Sequence, residues 1–254
     1  MAQAVQPRTG SPAPTKPAPA QPKAKRKVPF LVDFYRSALG KKYVMALTGI
    51  VFMLYVLLHM VGNLKMFYGP DELNEYSEFL RNILYPILPH SGFLWLFRLL
   101  LIVSLVLHVH AAYALTVMNR RARPTKYQAP RHYVAANFAS RTMRWTGVIV
   151  LLFLAWHLAD LTWGWANPDF VYGDVYHNVV SSLEQVPVAV FYIIANLALG
   201  LHLYHGAWSI FQSLGFNNPR FNPWRRWFAV AFTAVVVIGN VSFPIAVQLG
   251  VVSE

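Results

Sequence analysis

The chain has 254 residues, of which 56% are hydrophobic and only 13% charged, about half the charged share of an ordinary soluble domain. A soluble fold of this size cannot hide that much apolar surface, so the composition excludes a water-soluble globular protein and makes lipid part of the solvent. The sequence has no cysteine, which excludes disulfides, thiolate catalysis and an iron–sulfur cluster held by this chain alone.

In chain order, residues 1–27 are rich in Pro, Ala, Gln and Lys and predict a disordered basic tail with no stretch that reads as a signal peptide. Residues 28–254 are expected to form one all-α membrane domain. A surface-lying segment is expected over Val28–Ala38, and a second over Leu73–Leu84, both with apolar residues at mixed three- and four-residue spacing. Five apolar runs reach spanning length: Tyr43–Phe67, Phe93–Met118, Met143–Ala166, Pro187–Leu214 and Trp227–Leu249. Each is about 20 residues or more, enough to cross ~30 Å of hydrocarbon as a helix, and only helices satisfy the backbone there without a closed barrel.

The net charge of +12 is explained by topology and not by nucleic acid. Of the 22 basic residues, 19 precede span one, separate spans two and three (with Arg144 at the edge of span three), or separate spans four and five. The opposite side holds Asp71, Glu72, Glu75, Glu78, Asp169, Asp174, Glu184 and Glu254. The positive-inside rule then puts the N-terminus in the cytoplasm and, after five crossings, the C-terminus outside. This expectation describes a multi-pass protein of a bacterial cytoplasmic membrane. Trp163, Trp165, Trp224 and Trp227 fall where an interfacial belt belongs.

Six of the nine histidines lie inside spans: His59, His108, His110, His157, His202 and His205. Ionisable groups at that depth are expensive and mark function more often than packing. A lone one can serve only to bond a neighbouring helix. Spans one and three repeat a pattern, Met45, Thr48, Gly49, His59 against Met143, Thr146, Gly147, His157. Eleven residues are about three turns, so Thr and His share a helix face. Spans two and four are looser partners, through Leu107-His108-Val109-His110 and Leu201-His202-Leu203-Tyr204-His205.

Counting rise from the span ends puts His59 and His157 roughly 21–24 Å from the cytoplasmic side, and His110 and His205 roughly 14 Å from it. The histidines therefore fall into two layers. Two neutral imidazoles from facing helices are how a bundle holds a b-type haem, so two layers suggest two haems. Gly62, Ala111, Ala112 and Gly206 would let a macrocycle approach the backbone, or would serve close helix packing.

These residues resemble a known family, the single-subunit, five-helix cytochrome b membrane anchor of succinate:quinone oxidoreductases and fumarate reductases. The stretches that carry the resemblance are Leu47-Thr48-Gly49 through His59-Met60-Val61-Gly62-Asn63-Leu64, and Leu201-His202 through His205-Gly206-Ala207-Trp208-Ser209 to Gln212-Ser213-Leu214-Gly215. The resemblance implies two b haems ligated by His59, His110, His157 and His205, first span with third and second with fourth. It also implies a flavoprotein and an iron–sulfur partner subunit on the cytoplasmic side, and electrons passing from succinate through this subunit to quinone. The chain would thus be an enzyme subunit that carries no dehydrogenase chemistry itself, with quinone reduction at or near it, in respiratory complex II and the tricarboxylic acid cycle.

His108 and His202 stand outside that four-ligand scheme. His108 is about 200° around the helix from His110, so both cannot face one pocket, whereas His202 and His205 are about 60° apart. A Rieske-type [2Fe–2S] centre, with two histidines from this chain and cysteines from a partner, is an alternative for the inner layer. So is a role for His202 in bonding a propionate or quinone. Quinone candidates are Arg98, Asp160, Ser209 and Gln212. Arg98 and Asp160 lie at similar depth and could pair with each other, or, with Lys65, snorkel to the outer interface. Two competing readings remain: a cytochrome b anchor of another quinone-linked dehydrogenase, and a non-redox transporter. The second would show broken helices at mid-membrane, and no paired Pro or Gly interruption is seen there.

Overall fold

The computed structural model describes residues 29–122, 138–216 and 218–254. The predicted tail, residues 1–27, lies outside the described residues, as do Arg123, Lys126 and Arg131. Among the described residues the fold is helical without strands: α1 (Phe30–Arg36), α2 (Ala38–Asn63), α3 (Pro70–Asn82), α4 (Gly92–Arg121), α5 (Phe138–Leu161), α6 (Val175–Glu184), α7 (Val186–Ser213) and α8 (Asn222–Gln248). Helices α2, α4, α5, α7 and α8 are each long and apolar enough to cross a membrane, and they coincide with the five predicted spans.

The ends differ from expectation for local reasons. Helix α2 starts five residues before Tyr43 because Ser37 caps it, its Oγ accepting from the Gly40 N–H at 2.9 Å. Lys41, nearly buried, donates to the Tyr35 and Arg36 carbonyls at 2.8 and 2.9 Å and closes the C-terminus of α1. The surface segment expected over Val28–Ala38 is thus a short helix, α1, joined to α2 through a single residue. Helix α5 ends at Leu161, five residues before Ala166, where Gly164 takes φ 69°.

Helix α6 has no counterpart in the sequence reading. It begins at an Asp174 cap, whose side chain accepts from the His177 N–H at 3.0 Å. Its partner across the same end of the bundle is α3: Asn74 accepts from the Val175 and Tyr176 N–H groups and donates to Asp174. Beneath this cap lies a buried cluster that includes Met60, Met66, Leu73, Val180, Leu183 and Phe243.

Helix α7 packs against α8, α5 and α2, and α2 packs against α4. The α7–α8 contact is close enough that a Cβ at Gly200 would come within 2.6 Å of Val237 Cγ2. By contrast, α2 and α5 touch little along their backbones, and so do α4 and α7. Those two sparsely packed pairs are the ones that carry opposed histidines.

Candidate cofactor site

His59 on α2 and His157 on α5 face each other across one gap, their ring centres 5.9 Å apart and their planes at 89°. His108 on α4 and His202 on α7 face each other across the other gap, 6.4 Å apart at 54°. A metal held between two imidazoles places the ring centres roughly 6 Å apart, from metal–nitrogen bonds of ~2 Å and about 1 Å from nitrogen to ring centre on each side. Both couples therefore have a spacing at which two imidazoles could hold one metal ion between them. Such a site takes two protein ligands, so it needs no third His, Cys, Asp or Glu, and no cluster of three is found among the described residues.

The rings are held in register by hydroxyls. Thr48 Oγ1 donates to the Val44 carbonyl at 2.7 Å and lies 2.9 Å from His108 Nδ1. Thr146 Oγ1 donates to the Met143 carbonyl at 3.0 Å and lies 3.4 Å from His202 Nδ1. With each hydroxyl proton committed to a helix carbonyl, the oxygen is left to accept. The hydrogen-bond pattern therefore assigns the proton to Nδ1 and the lone pair to Nε2. The glycine after each threonine lies against the same ring: a Cβ at Gly49 would sit 3.9 Å from His108 Cε1, and one at Gly147 3.3 Å from His202 Cε1. The sequence repeat of Thr-Gly and His thus serves two layers at once, the Thr-Gly at the level of one couple and the His in the other, about 16 Å further along the helix.

His110 and His205 form no such couple among the described residues. His110 is exposed and stacks on Tyr35 of α1, whose hydroxyl lies 2.5 Å from its Nδ1. His205 is half-buried one turn beyond His202. His59 stacks on Tyr55 at 5.3 Å, and His157 Nδ1 lies 3.3 Å from the Tyr192 hydroxyl.

The remaining candidates separate. Arg98 and Asp160 do not pair. Arg98 is exposed and lies over the Trp95 ring at 4.9 Å, while Asp160 is 1% exposed and accepts from Ser182 and Tyr192. Lys65 forms an ion pair with Glu72 at 2.9 Å. Ser209 donates to the Gly206 carbonyl at 3.2 Å, and Gln212 is exposed. Of the small residues, Gly62 is filled by Tyr76 of α3 and Ala111 is buried in packing, whereas nothing lies within 4 Å of a Cβ at Gly206. Sequence reasoning missed Tyr192, Thr48 as a partner of His108, and Thr146 as a partner of His202. The shared Thr–His face was the available signal, and it pointed along one helix when the contact runs between two.

The described helices thus form a bundle in which two imidazole couples face each other across the interior. Residues 118–240, a little under half of the chain, match the model of the succinate dehydrogenase/fumarate reductase transmembrane subunit family. The match supports a multi-pass membrane anchor of complex II. No curated protein and no solved structure matches it.

Proposed function

We propose that the protein holds the flavoprotein and iron–sulfur subunits of a succinate:quinone oxidoreductase on a bacterial cytoplasmic membrane and passes electrons from the iron–sulfur subunit to quinone. The observation that supports this reading best is the two opposed imidazole couples, at 5.9 and 6.4 Å, in separate layers. In this reading His59 with His157 ligates the outer of two b haems and His108 with His202 the inner one. When bound, the haems supply one-electron carriers at two depths of the bilayer.

The residues of the chain do the orienting. Thr48 and Thr146 fix the inner rings with Nε2 available, as outer-shell partners do at ligated histidines. Gly49 and Gly147 let those rings lie against a neighbouring helix. The sequence expectation gave the inner layer to His110 and His205. The geometry favours the residues two and three positions earlier, because His110 turns to Tyr35 and His205 has no facing imidazole among the described residues. Opposed rings on different helices also suit axial ligation better than the side-by-side pair a Rieske-type iron requires.

The proposed orientation keeps α1 and the N-terminus cytoplasmic, with Arg120, Arg121, Arg220 and Arg226 on that side and the α3–α6 cap outside. For quinone, Arg98 near the outer couple, or Ser209 and Gln212 beyond the inner one, are the proposed polar contacts. Asp160 already carries two donors and is assigned a different role below.

The test is a dithionite-reduced minus oxidised spectrum of the purified complex, with iron and acid-labile sulfide assays. Sharp b-type bands from two haems are expected. Absent haem bands, with sulfide in excess of the iron–sulfur subunit's own, would contradict the reading.

A further inference from the structure

Asp160 sits on α5 one turn beyond His157 and is 1% exposed. A carboxylate inside a membrane span is costly and calls for a reason. Its Oδ2 accepts from two hydroxyls at 2.7 Å each, Ser182 Oγ on α6 and the Tyr192 hydroxyl on α7. Tyr192 commits its only proton to Asp160, so its oxygen can act only as an acceptor towards His157 Nδ1, 3.3 Å away. The phenol ring is held edge-on to Phe153 at 5.1 Å and is itself buried.

Resting on the haem reading above, we infer that Asp160 and Tyr192 are positioning residues for the outer ligand His157: the carboxylate fixes the tyrosine, and the tyrosine fixes the imidazole with its proton on Nδ1 and Nε2 towards His59. The inner couple reaches the same tautomer by other means, through neutral threonines bonded to their own helices. The outer ligand is thus backed by the Asp160 carboxylate one hydroxyl away. A carboxylate behind an imidazole strengthens its donation to the metal and stabilises the oxidised, more positive iron. Its loss should raise the potential of that haem alone.

The same residues also tie α5, α6 and α7 together, and Ser182 separates the two roles. Ser182 bonds Asp160 but not His157, whereas Tyr192 bonds both. The experiment uses the intact complex carrying Tyr192→Phe, Asp160→Asn or Ser182→Ala. Each haem is titrated optically against potential, and its low-temperature EPR signal is recorded. Y192F and D160N should move the midpoint of one haem upward and change its EPR signal, leaving the other haem unmoved. S182A should lower the melting temperature and move neither. The inference is overturned if Y192F assembles with both haems at wild-type potentials and unchanged EPR, or if S182A shifts a potential as far as Y192F does. Should D160N fail to assemble, Y192F alone decides. A wild-type complex without haem overturns the functional reading, and this inference with it. Two haems in the wild type with an inert Y192F overturn only the inference.

Discussion

Thr48 Oγ1 lies 2.9 Å from His108 Nδ1, joining the first membrane span to the second at the level of the His108–His202 couple. Thr146 repeats the relationship with His202 at 3.4 Å. Removing an outer-shell partner of this kind typically lowers metal affinity 10–100-fold. Thr48→Val keeps the shape and deletes the acceptor. The purified T48V complex should lose inner haem on dilution or washing faster than wild type, followed by the decay of one b-type component, while the outer haem stays. Equal retention of both haems would show that the threonine only packs.

The two glycines that follow these threonines make an unequal pair. A Cβ at Gly147 would stand 3.3 Å from His202 Cε1, tighter than ordinary contact, while one at Gly49 would stand 3.7 Å from Ile210 and 3.9 Å from His108, which is ordinary contact. Gly147→Val should push the His202 ring aside and empty the inner site. Gly49→Ala should be tolerated, with inner haem retained. Haem content per complex reads both, and a G147V protein with full occupancy would count against the ring positions.

At the α3–α6 end, outside the spans, two groups titrate in opposite senses. His177 bonds the Asp169 carbonyl at 2.8 Å and pairs with Glu254, and these, the carbonyl first, hold its pKa above the ordinary histidine value. A raised pKa contributes stability below the unfolded-state value that is lost as pH climbs through the folded-state value. Asp174 accepts from the His177 N–H first and Asn74 second, which holds its pKa below the ordinary carboxylate value. Its contribution is present above the unfolded value and is lost as pH falls through the folded one. The melting temperature of the solubilised protein should therefore peak in mild acid and decline above neutrality, by a small amount because His177 is exposed to solvent screening. His177→Gln should flatten the alkaline side alone. Asp174→Ala should cost about 1 kcal/mol through loss of the α6 cap. An unchanged alkaline decline in H177Q would assign that decline to another group.

Much of this was legible in the sequence. Apolar runs located all five spans, and the His59–His157 couple followed from the repeat and from helix rise. The inner layer was legible as a layer but not as a couple. Depth counting cannot separate His202 from His205, which differ by about 4.5 Å along the axis. The angular argument said that only one of His108 and His110 can face a pocket, without saying which. That choice is made by the rotation of α4 on α2, which the Thr48–His108 contact fixes and no single-helix pattern encodes. Helix α6 was missed because its polar face and short length read as connection, although an Asp cap followed by mixed-spacing apolar residues was present at Asp174. Asp160 was read as an ion in need of a cation. The structure instead satisfies it with two hydroxyls, one of them on the unforeseen α6.

The central claim, that two haems are held by His59 with His157 and His108 with His202, is tested most directly by haem counts on complexes carrying His108→Ala, His202→Ala, His110→Ala or His205→Ala, measured as pyridine haemochrome per flavin. H110A and H205A should keep two haems, and H108A and H202A should keep one, lacking the inner component. One haem in H110A and H205A, with two in H108A and H202A, would contradict the account. If the ligand variants fail to assemble, one haem in an assembled H110A complex would contradict it alone.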